Sequence, residues 1–152
     1  MATVLNIVER AIVIPGAVPG IKLGLANIMT LLSIMILSSK DAFLVVVVRC
    51  VLGAMISGNP VSFAFSITGG MLSLGIMAIL WYGFKGRVSI VIISMIGAVA
   101  HNVGQLLIAA LLVHSGSVFI ILPVLMVSAL ITGYIIGLVS GRIYRSLGEP
   151  SF

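Results

Sequence analysis

Hydrophobic residues fall into six runs, separated by short clusters of Gly, Pro, Ser and charge. The first run covers 2–14 and ends in a connector built from Pro15, Gly16, Pro19, Gly20 and Lys22. The second covers 23–38 and stops at Ser38-Ser39-Lys40-Asp41. The third, 42–57, is closed by Gly58-Asn59-Pro60. Runs 61–83, 88–113 and 118–140 follow, divided by Phe84-Lys85-Gly86-Arg87 and His114-Ser115-Gly116-Ser117. Within each run apolar residues lie on every face, without the two-residue alternation of barrel strands, so the runs predict helices in lipid.

At ~1.5 Å per residue the last three runs are long enough to cross a hydrocarbon core of about 30 Å. The second and third are slightly short. The first gives only roughly 20 Å of helix, and we expect a truncated or misassigned start, with the natural chain beginning upstream of Met1. The pattern predicts an all-α integral membrane bundle of six transmembrane helices, the first short or truncated. It forms a single membrane-embedded domain over 1–152.

Composition strengthens this reading. Of 152 residues, 61% are hydrophobic and 7% charged. Soluble domains carry about 25% charged residues, so this chain lacks the side chains to cover a wet surface. The net charge of +5 is spread singly over loop ends, which argues for membrane orientation and against a nucleic-acid partner. With six spans, one side receives Lys40, Lys85, Arg87, Arg142 and Arg145, and the other only Lys22. That bias predicts a multi-pass protein with both termini cytoplasmic; the expected location is the cell membrane of a prokaryote. A lone Cys50 excludes an internal disulfide and a cysteine-rich metal site.

Polar groups inside the runs are the functional pointers, because lipid penalises them. Arg49 interrupts a valine run near the middle of 42–57. It needs a carboxylate, carbonyls, water or a ligand, and Glu9 is a candidate ion-pair partner. His101 and Gln105 are four apart on one helical face, with Asn102 beside them and Gly104 leaving a gap. They line an internal cavity or hydrogen-bond between helices. Further His, Cys or carboxylate residues at ligand spacing are lacking, so neither a metal site nor a cofactor is expected. Glu9, Lys22 and Asn27, with Arg10, Asn59 and Ser62, are placed toward the outer side as a polar mouth or as solvated interface. Trp81, Tyr82 and Tyr144 fit interfacial anchors. Gly133, Gly137 and Gly141 form small-xxx-small steps, suited to internal helix packing or to docking another subunit. The chain has no Walker loop, nucleophile elbow, zinc-protease pair or Asp-rich diphosphate motif, so no enzyme activity is expected.

The stretch Pro15-Gly16 through Pro19-Gly20-Ile21-Lys22-Leu23-Gly24-Leu25-Ala26-Asn27-Ile28 resembles a signature of the Gx transporter family, also labelled heptaprenyl diphosphate synthase component I. Ser66-Ile67-Thr68-Gly69-Gly70-Met71-Leu72-Ser73 and Gly97-Ala98-Val99-Ala100-His101-Asn102-Val103-Gly104-Gln105 match two further patterns of that family. Arg49 and Pro123 fall where it has Arg and Pro. The family is similar to the S components of energy-coupling factor (ECF) transporters. The resemblance implies a small-molecule substrate captured on the outer side, with an ECF transmembrane coupling subunit and two ATPase subunits as partners.

Two functions follow as expectations. The first is a substrate-binding S component for a small polar or anionic solute. Its site would be Glu9, Lys22, Asn27, Arg49, His101, Asn102 and Gln105, with the Pro15–Gly20 connector as a gating loop. The second is a noncatalytic membrane component of heptaprenyl or polyprenyl diphosphate synthesis.

Overall fold

The structure is a computed structural model that describes residues 27–84 and 87–148, without the side chain of Ser57. The first run, the Pro15–Gly20 connector, Glu9 and Lys22 lie outside the described residues. Within them are five α-helices: α1 Asn27–Ile36, α2 Ser39–Ser57, α3 Pro60–Gly83, α4 Ile90–Val113 and α5 Leu122–Ser146. A 3-10 helix, Gly116–Ile121, leads into α5. No strand occurs among the described residues.

Local chemistry sets the boundaries. Ser38 caps α2, its Oγ accepting from the Asp41 N–H at 3.4 Å and donating to Asp41 Oδ2 at 2.8 Å. This draws Lys40 and Asp41 into the first turn of the helix, where the sequence suggests a loop. Asn59 Oδ1 accepts from Val61 N–H at 2.9 Å and Pro60 opens α3, a cap followed by the residue that needs no donor. Ser89 Oγ accepts from Ile92 N–H and starts α4. Left-handed residues close α2 and α4: Gly58 at φ 60° and His114 at φ 51°.

Consecutive helices run in alternate directions. α4 packs along both α3 and α5, α2 lies against α3, and α1 sits among α2, α3 and α5. The Tyr82 hydroxyl donates to the Ile34 carbonyl at 3.0 Å, joining the ends of α1 and α3. Trp81 meets Tyr144 edge to face, with ring centres 5.9 Å apart, which joins the ends of α3 and α5. One apolar core gathers Leu31, Ile34, Val46, Met77 and Ile93. A second, toward the opposite end, gathers Phe65, Leu106, Ala109, Val118 and Leu125. Phe43, Leu44, Ile79, Ile120 and Ile131 point outward, as a bundle solvated by lipid requires.

The expectation of six spans needs correction. Among the described residues three helical stretches are long and apolar enough to cross a membrane: Pro60–Gly83, Ile90–Val113 and Gly116–Ser146. Of the second run, the described residues supply the 10 residues of α1, about 15 Å of helix. The third yields 19 residues, but α2 carries Lys40, Asp41 and Arg49. The last helix also runs further than its apolar run, to Ser146, taking in Arg142 and Arg145. The described cations Lys40, Arg87, Arg142 and Arg145 all belong to one end of the bundle.

Candidate functional site

Midway along α2, α3 and α4 the helices bring their polar residues to one level. Arg49, on α2, is 3% exposed, and its Nη2 donates to Asn27 Oδ1 at 3.4 Å. The amide of Asn27 donates in turn to Ser73 Oγ on α3 at 2.9 Å. Asn27 thus bridges a cation on α2 to a hydroxyl on α3. The sequence places Asn27 toward an outer mouth. It sits instead at mid-depth, held to Ser73 where α1 runs beside the second half of α3. One turn beyond it, Thr30 Oγ1 is buried with no hydrogen-bond partner among the described residues.

Two adjacent glycines of α3 make room for this level. A Cβ at Gly70 would lie 3.1 Å from Arg49 Nη2 and 2.9 Å from a Val46 methyl carbon. A Cβ at Gly69 would lie 2.8 Å from the His101 carbonyl and 3.0 Å from its ring. Successive helical positions point about 100° apart. The pair therefore seats the guanidinium and the imidazole on neighbouring sectors of one helix. Gly104 completes the close approach, facing the Gly69 backbone at 2.8 Å from its own missing Cβ.

His101 and Gln105 share a face as their spacing predicts, with His101 Nε2 and Gln105 Nε2 3.2 Å apart. With the amide donating, neutral His101 accepts at Nε2 and carries its proton on Nδ1. Asn102 does not join them. Its Nδ2 donates to the Leu125 carbonyl on α5 at 2.9 Å, and its Oδ1 is buried with no hydrogen-bond partner among the described residues. The one-position offset turns it about 100° away from His101, toward α5.

The structure therefore brings together Asn27, Arg49, His101 and Gln105 and sets Asn102 on the α5 side. Ser73, Gly69 and Gly70 are the site residues that polar-residue counting passes over. Their signal was available as small residues at three- and four-residue spacing on one face of α3. Asn59 is exposed at its cap, and Ser62 is buried in α3, where its carbonyl accepts from Ser66 Oγ at 2.7 Å. Gly133 and Gly137 lie against α4: a Cβ at either would sit 2.7 Å from Met95 Cα or 2.6 Å from Val91 Cα. Among the described residues no three His, Cys, Asp or Glu side chains gather as a metal set.

A family model described as heptaprenyl diphosphate synthase component I matches residues 1–143. The chain belongs to that family. As a component I family protein it carries the mid-bundle cluster wholly within the matched segment. A noncatalytic role is consistent with the name of a synthase component. No curated protein and no solved structure matches the chain.

Proposed function

We propose that this component I protein is a noncatalytic membrane subunit of a polyprenyl diphosphate-synthesising system, holding the anionic head of a ligand beside Arg49. One observation carries the reading: a guanidinium is held inside an apolar bundle by the amide of Asn27 and the gap at Gly70. A guanidinium offers planar, paired N–H donors that match the oxygens of a diphosphate. Thr30 Oγ1 supplies a further buried hydroxyl close to Asn27 in sequence and on the same face. The family name supplies the isoprenoid context and implies a partner synthase component, to which this reading gives the chemistry.

In this reading residues 1–152 form a single membrane-embedded domain of six helical segments. Glu9 and Lys22, with the Pro15–Gly20 connector as a gating loop, belong to the S-component form of the proposal and lie outside the described residues. The same cluster also suits an S component that captures a small anionic or polar solute, since His101 and Gln105 offer orienting hydrogen bonds beside the cation. Pull-down of the detergent-solubilised full chain distinguishes the two. Capture of a soluble prenyl synthase supports the first, and capture of ATPase subunits supports the second.

The site itself is tested with a short prenyl diphosphate as probe. Removing one charge-assisted contact costs about 1.5–3 kcal/mol, roughly tenfold or more in affinity. Arg49→Gln is expected to weaken binding by that factor in a calorimetric titration of the folded protein. Unchanged affinity in both Arg49→Gln and Asn27→Ala would remove this cluster from the ligand site.

A further inference from the structure

A second polar place lies away from the mid-bundle cluster, where α4 begins and α5 ends. The seam between these helices is tight at Gly133 and Gly137, where backbone meets backbone. It opens one turn later. A Cβ at Gly141 would meet only Ile90 Cδ1, at 3.8 Å. The resulting cleft has a volume of about 280 Å³, with Ser89, Ile90 and Val91 on one wall and Gly141, Arg142 and Arg145 on the other.

Arg142 and Arg145 are three residues apart and share a helical face. Both are exposed, and neither forms an ion pair among the described residues. Asp41, the one acidic side chain among those residues, is engaged by Ser38 at 2.8 Å. Across the cleft, Ser89 supplies its Oγ to Ile92 N–H and its carbonyl to Ile93 N–H. The N–H groups of Ile90 and Val91 have no acceptor within the helix and add positive potential to the charge of the arginines.

Depth and neighbours select the kind of anion. The cleft sits at the end of two helices long enough to cross a membrane, which is headgroup level. From Leu138, which lines it, an exposed apolar row runs along α5 through Ile135, Ile131 and Val127 toward the other end. Basic pockets between membrane helices at this depth suit phosphate headgroups, and the apolar row provides a track for acyl chains. We propose that the α4–α5 cleft is a binding site for the phosphate headgroup of an anionic phospholipid, clamped by Arg142 and Arg145.

Native mass spectrometry of the full chain, released from nanodiscs of phosphatidylglycerol or of phosphatidylcholine, tests this. The protein is expected to retain phosphatidylglycerol and to release phosphatidylcholine. Arg142→Gln/Arg145→Gln is expected to lower retention by about tenfold or more. Gly141→Leu, which fills the cleft and leaves both charges, is expected to do the same. Equal retention by the parent and both variants overturns the site. Binding of inorganic diphosphate with the same arginine dependence, displacing the lipid, also overturns it in favour of a soluble anion. A thermal melt of each variant in detergent confirms that the comparison is made on folded protein.

Discussion

At the level of single residues, this bundle uses the absence of side chains as much as their presence. Gly69 and Gly70 stand between two polar groups that lipid would reject, and each admits one of them. Alanine at Gly70 would press on Arg49 and Val46, and at Gly69 on a carbonyl that belongs to α4 backbone. Backbone cannot yield as a flexible side chain can. We expect Gly69→Ala to destabilise the protein by about 1–3 kcal/mol, the range for overpacking. Gly70→Ala is expected to act mainly on Arg49, weakening ligand binding more than stability. Gly75 lies in the same helix with nothing within 4 Å of its missing Cβ. Gly75→Ala is therefore expected to leave binding intact and to raise stability by up to about 1 kcal/mol. Thermal denaturation in detergent, run beside the titration, separates the three.

At the level of elements, the helix starts are written locally and their partners are not. Ser38, Asn59-Pro60 and Ser89 each cap the helix that follows, so those boundaries are readable from the chain alone. The 3-10 turn at Gly116–Ile121 is less so, because its residues continue the apolar run into α5. The mid-depth position of Asn27 was not legible at all. It depends on α1 lying beside the second half of α3, which is a tertiary fact. The His101–Gln105 pair was legible because helical spacing fixes it; the turn of Asn102 toward Leu125 required knowing that α5 lies there. Helix ends also give a clean prediction. His114 occupies the left-handed position that closes α4, at φ 51°, where Gly58 serves α2. A left-handed backbone costs a residue with a Cβ about 1–2 kcal/mol relative to glycine. His114→Gly is expected to recover part of this, against the greater chain entropy of glycine, as a modest rise in melting temperature. A fall would mean that the imidazole makes a stabilising contact.

For the molecule as a whole, charge and packing point the same way. Lys40, Arg87, Arg142 and Arg145 belong to one end of the bundle, while the described residues at the other end hold no lysine or arginine. Basic residues are retained on the cytoplasmic side of a membrane, so the arginine-bearing end is expected to face the cytoplasm. The buried Arg49 lies midway, too far from either surface for its side chain to reach water easily. A ligand meeting it must therefore travel into the bundle, whereas a lipid meeting Arg142 and Arg145 need only diffuse in the leaflet. Cysteine labelling checks the orientation underlying both. In a Cys50→Ser background, Asn59→Cys is expected to react with a membrane-impermeant maleimide in intact cells. Arg145→Cys is expected to react only after permeabilisation. The reverse pattern would place the basic cleft in the outer leaflet and turn the ligand's direction of entry around.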